Sequence, residues 1–213
     1  GARFREVATY RASIAIDHGR YAELGHWLPA TLQECGKALG AQSIACRVLQ
    51  AQQVRVLLKQ GRGQAAAAAA EALRPQLDAG PSPARQVEAA VLIARSAAAA
   101  GHRPDQEAMR RRLEAVDQSA ASSGLDPDYR LLAADTLSEL ALAAGDPSSA
   151  LGWTARARRL IADAGLADSA EARRTALFEG IALAAQGRHG EALRVWGSLC
   201  DGASGDRELG ASE

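Results

Sequence analysis

Apolar residues along the chain gather into ten runs of helical character, each closed by a short polar break. One set of breaks reads Ile16-Asp17-His18-Gly19-Arg20, Leu58-Lys59-Gln60-Gly61-Arg62, Ala99-Ala100-Gly101-His102, Ala143-Ala144-Gly145-Asp146 and Ala185-Gln186-Gly187-Arg188. The glycines at 19, 61, 101, 145 and 187 are 42, 40, 44 and 42 residues apart. Such regular spacing marks an internal repeat. Glycine adopts the left-handed backbone angles that end a helix tightly, so each break predicts a helix, a stop and a second helix. A small residue follows five positions on in three units, at Ala66, Ala150 and Ala192, where two helices would cross closely. Leu24 and Gln106 take that place in the other two.

A second set of breaks closes each unit: 35–41, Asp78-Ala79-Gly80-Pro81-Ser82-Pro83, Ser122-Ser123-Gly124-Leu125-Asp126-Pro127 and Asp163-Ala164-Gly165-Leu166-Ala167-Asp168. Each joins glycine to residues that start helices. The pattern predicts first helices over about 3–18, 42–60, 84–100, 128–144 and 169–186, with partners over about 20–39, 62–79, 104–123, 147–164 and 188–200. The repeat domain then covers 1–200, with units of about 1–41, 42–83, 84–127, 128–168 and 169–200. Residues 201–213 lack an apolar period and are expected to form a disordered tail.

Composition supports helices over sheets. Fifty of the 213 residues are alanine, the strongest helix former, and only eight are aromatic. Charge balances, 25 basic against 25 acidic, which argues against nucleic acid or an anionic membrane as the main partner. No apolar run reaches membrane-spanning length. Cys35, Cys46 and Cys200 have no paired spacing and read as free thiols in a reducing, cytoplasmic setting. Twenty-three arginines against two lysines, with the alanine excess, suit a GC-rich bacterial genome. The Gly-Ala-Arg start suggests a piece of a longer protein.

The turns resemble the tetratricopeptide repeat (TPR), whose unit is two antiparallel helices with a Gly-[Asp/Arg/Lys]-x-x-x-Ala signature. Gly61-Arg62…Ala66, Gly145-Asp146…Ala150 and Gly187-Arg188…Ala192 match it, and Gly19-Arg20-Tyr21 matches in part. Gly180 sits at the small position of the first helix, where the other units have Ala12, Val54, Ala94 and Ser138. The long period is similar to that of kinesin light chains and of helical-repeat domains in bacterial transcription activators. The resemblance implies an all-α, right-handed α-α superhelix of five hairpins whose first helices line the concave side. It also implies a peptide-binding groove. Carried over by distance from each turn glycine, the groove positions include Arg55 and Lys59 in the second unit and Arg95 in the third. Asp135 and Glu139 fall there in the fourth unit, and Leu177 and Ile181 in the fifth. Arg55 and Arg95 at matching positions could clamp a carboxylate or phosphate bidentately, or could instead pair with Glu88 and Glu139.

Catalytic and cofactor readings find little support. Gly61-Arg62-Gly63 has no strand before it, so it is no dinucleotide fingerprint. His18, His102 and His189 lie at turns, and no His/Cys cluster offers zinc ligands. Met109-Arg110-Arg111-Arg112 and Arg156-Ala157-Arg158-Arg159 fall on second helices without a recognition-helix signature. The expectation is therefore a non-catalytic protein- or peptide-binding module without cofactor or metal, belonging to a bacterial signalling or transcription regulator. A small-molecule effector sensor is the alternative. The apolar last helix, with Leu193, Val195, Trp196 and Leu199, also predicts a homodimer through an end of the array.

Overall fold

The computed structural model describes residues 8, 10–12, 14–15, 18–79 and 82–208. All regular structure among them is helical. Residues 8, 10–12 and 14–15 are helical, and the rest of the first expected helix lies outside the described residues. The helices that follow are α1 (Tyr21–Leu39), α2 (Ile44–Lys59), α3 (Gly63–Ala70), α4 (Gln76–Ala79), α5 (Pro83–Ala100) and α6 (Arg103–Ser123). The series continues with α7 (Pro127–Ala143), α8 (Pro147–Asp163), α9 (Ala170–Ala185) and α10 (His189–Glu208). The chain divides into two compact units, Gly1–Arg112 and Leu113–Glu213.

The repeat punctuation is built as the glycine spacing predicts. Gly19, Gly61, Gly101, Gly145 and Gly187 all have positive φ, between 67° and 76°. First helices begin on side-chain caps: Ser43 accepts from the Cys46 N–H, Ser82 from Arg85, Asp126 from Asp128 and Ser169 from Ala172. Pro83 and Pro127 occupy first helical positions, where no backbone N–H partner is needed.

In the first compact unit, α1 packs on α2, α2 on both α3 and α5, and α3 on α5. In the second, α7 packs on α8, α8 on α9, α9 on α10, and α7 on α9. Within these units α2 and α9 each meet their own partner, the partner before them and a neighbouring first helix. The small crossing positions explain this closeness: Ala12, Val54, Ala94, Ser138, Ala66 and Ala150 are fully buried. Gly180 is the extreme case. A Cβ there would lie 2.0 Å from Nε1 of Trp196, which covers the helix at that point. Glutamines before two turns tie each hairpin to its predecessor. Gln60 donates to the Tyr21 carbonyl and Gln186 to the Ser148 hydroxyl, both at 3.0 Å.

Three expectations are corrected. Cys35 and Cys46, read as free thiols, form a disulfide between α1 and α2, and both are buried. The tight Gly40–Ser43 connection brings these helices face to face, which places two cysteines 11 residues apart in contact. That removes the argument for a reducing compartment; the Cys200 side chain lies outside the described residues. The partner helix expected over 62–79 is broken. α3 ends at Ala70, a 3-10 turn covers Glu71–Leu73, and the helix restarts at Gln76. Pro75 cannot supply an N–H to a continuous ladder and its ring crowds the preceding turn. Arg112 caps the break by donating to the Leu77 carbonyl and pairing with Asp78. Finally, α10 continues to Glu208, so 201–208 is helical where a disordered tail was expected; 209–213 lie outside the described residues. Extending an existing helix avoids the cost of a new nucleus.

Candidate peptide-binding site

The face built by first helices is described separately in each compact unit. In the first, α2 and α5 lie side by side. Arg55 on α2 forms an ion pair with Glu88 on α5 and donates to Gln52 one turn back. Glu88 is nearly buried and takes a second guanidinium, from Arg85 on its own helix. The two arginines therefore share one carboxylate. Lys59 is exposed at the end of α2. Arg95, two turns after Glu88, is half-buried and engaged in polar contact. Arg55 thus adopts the pairing with Glu88 that its position allowed. Since Arg55 is partly exposed, the pair adds modest stability and serves mainly to fix the side-chain arrangement.

An opening lies between α2 and α5, bordered by Ile44, Arg47, Val48 and Arg85 and floored by Leu73 and Gln76. Its free volume is about 10 Å³, room for one water-sized group. Arg47, Gln76 and Arg85 were not singled out from the sequence. Pro75 was the available signal, because it sets the restart of the helix at Gln76.

In the second compact unit, the acidic position at 135 is structural. Asp135 is 0% exposed. Its carboxylate accepts from Arg174 Nε at 2.8 Å and from Thr175 Oγ1 at 2.8 Å, both on α9. A second guanidinium nitrogen of Arg174 approaches to 2.6 Å. The sequence placed Asp135 and Arg174 on neighbouring first helices, and the structure joins them to each other. Glu139, one turn beyond, is half-buried and engaged. On α9, Leu177 and Ile181 are 46% and 40% exposed, one helical turn apart. The five site residues thus differ in availability: Lys59 is open, Arg55 is paired, Arg95 and Glu139 are engaged, and Asp135 is enclosed.

Solved structures with the same arrangement of helices include repeats from a Podosopora anserina kinesin light chain-type protein. A point variant of its nearly identical TPR-like repeats superposes with a TM-score of 0.70. That comparison has 16% identity and covers 98% of this chain and 99% of the other. This chain has a TPR-like helical-repeat fold. A second crystal structure of the same repeats gives a TM-score of 0.67 at 17% identity, covering 95% and 97%. These TPR-like neighbours are α-α solenoids, so the all-α solenoid expected from the turn glycines is the fold of the chain. No family model and no curated protein matches the sequence. No described helix is long and apolar enough to cross a membrane, and no described cluster of His, Cys, Asp and Glu could hold a metal ion.

Proposed function

We propose that the chain is a non-catalytic module that binds proteins or peptides along the face of its first helices. In this reading it serves as the interaction or regulatory part of a larger bacterial signalling or transcription-regulatory protein. The fold supports the first part, since TPR-like repeats generally act as protein-interaction scaffolds. The observation that carries it is apolar exposure on that face. Leu177 and Ile181 form an open stripe on α9, and Ile44, 58% exposed, borders the opening on α2. Adjacent large apolar side chains held in water, as Leu177 and Ile181 are on α9, are a mark of a recognition surface. Lys59, at the other end of α2 from Ile44, adds exposed positive charge.

The test uses a peptide selected against the purified protein from a displayed random library, with affinity read by fluorescence anisotropy. Replacing Leu177 and Ile181 by serine leaves the core intact and is expected to weaken binding at least tenfold. Unchanged affinity for every selected peptide overturns the reading.

A further inference from the structure

We propose that the end of the array built by α9 and α10 docks an amphipathic helix of a partner protein, seated as a further first helix of the repeat. The inference names the kind of partner that the exposed stripe on α9 takes, and so rests on the protein-binding reading.

The repeat itself shows what covers such a face. Ten residues before the turn glycine stand Ala51, Val91, Asp135 and Leu177 in successive units. The first three are buried and Leu177 is exposed. Asp135 is covered by Arg174 and Thr175 of α9, the next first helix. Six residues after the turn glycine, Leu151 on α8 corresponds to Leu193 on α10. Leu151 packs against the cluster of Ala141, Ala150 and Ala182, the last of which lies on α9. Leu193 has the same side chain and is 67% exposed. Trp196 ties α10 to α9 beside these positions, its Nε1 3.5 Å from the Leu177 carbonyl oxygen. By register, α9 and α10 therefore present the surface that α7 and α8 present to α9. An added helix would gain the same neighbour term that holds the units together.

The incoming side of the seam sets the partner's chemistry. Thr175 and Ala182 lie two turns apart on one face of α9, and both are fully buried. Small residues there let large ones on the receiving side interlock with them. Two copies of this end would set Leu177, Ile181 and Leu193 against one another, large against large, so the face is not self-complementary. Charge differs as well. Where Asp135 receives a guanidinium, the fifth unit offers Leu177, so the partner carries an apolar residue in the place of Arg174. The fitting partner is a helix of about four turns with a polar outer face. Its contact face has small residues at the places of Thr175 and Ala182 and an apolar residue just before the first of them.

The probe is a fluorescein-labelled synthetic peptide of residues 169–186 of this chain with Arg174→Leu. Alone it is marginally helical, as isolated helices of this length are in water. With the protein, a saturable rise in anisotropy is expected, together with helicity by circular dichroism beyond the sum of the parts. The same peptide with Arg174 retained, or with Ala182→Leu added, is expected to bind at least fivefold more weakly. Leu193→Ser in the protein alters an exposed side chain; checked for unchanged melting, it is expected to weaken binding at least fivefold. No saturable binding, binding without a gain in helicity, or equal affinity for all three peptides overturns the proposal. Full affinity for the Leu193→Ser protein does the same. A dimer of the protein alone in sedimentation, dispersed by Leu193→Ser, puts a second copy on this face and also overturns it. Library peptides that need Leu177 and Ile181 but ignore Leu193→Ser sink this proposal and leave the scaffold reading intact. Library peptides indifferent to Leu177 and Ile181, with the helix probe still docked, do the reverse.

Discussion

Removing the Asp135 carboxylate tests whether the second compact unit is held together as described. Asp135 is wholly enclosed and anchors three polar contacts from α9, two from Arg174 and one from Thr175. Breaking a buried ion pair by deleting one partner costs about 3–5 kcal/mol, because the other charge is left uncompensated. Arg174 is 36% exposed, so water recovers part of that loss, and the lower end applies. Asp135→Ala is therefore expected to destabilise the protein by about 3 kcal/mol. That corresponds to a fall in melting temperature of roughly 6–12 °C for a chain of this length. Thr175→Val keeps the shape and removes only one hydrogen bond, for a loss of about 1 kcal/mol. Urea denaturation followed by circular dichroism gives both values, and hydrogen exchange locates the loss. Faster exchange is expected in α7 and α9, because repeat stability is largely a sum of neighbour terms. An Asp135→Ala protein within about 0.5 kcal/mol of the parent, the usual range for surface changes, refutes the reasoning. Peptide binding lost at unchanged stability would make Asp135 a ligand contact instead.

Two further outcomes follow from the packing. Gly180→Ala places a Cβ 2.0 Å from Trp196 Nε1. It is expected to cost about 1–3 kcal/mol by overpacking, and Trp196→Leu in the same chain should recover most of the loss by thermal melting. Reducing the Cys35–Cys46 disulfide reopens a loop of sequence separation 11. The chain-entropy estimate for a loop of that size is about 3 kcal/mol. Denaturation with and without a phosphine reductant measures it, and coincident curves, with thiol release verified by mass, contradict a cross-link that stabilises.

What was legible in the sequence was the period. Glycine has few reasons to recur every forty or so residues at the end of an apolar run, and all five take positive φ. Of the residues five positions on, Ala66, Ala150 and Ala192 are buried as close crossings require; Leu24 is buried too, although large, and Gln106 is only half-buried. Contacts between units were less legible. Asp135 meets Thr175 at a separation of 40 and Gln60 meets Tyr21 at 39, close to one period. The repeat spacing thus carried the neighbours, but not which groove residues would spend their charge on one another. Arg55 and Asp135 look alike as groove positions in sequence. One is a partly exposed pair and the other an enclosed anchor, a difference set by what the adjacent first helix supplies. Gln76 was hidden because its placement depends on the break at Pro75, which the apolar pattern alone runs straight through. The disulfide was hidden because unpatterned cysteines read as unpaired until the hairpin register sets α1 against α2.

Photo-cross-linking with a library-selected peptide carrying a benzophenone side chain tests the central claim most directly. Mass spectrometry of the adducts is expected to place them on first helices, within Ile44–Lys59, Pro83–Ala100, Pro127–Ala143 or Ala170–Ala185. Adducts confined to Tyr21–Leu39, Pro147–Asp163 or His189–Glu208 would put the binding face on the second helices and contradict the account.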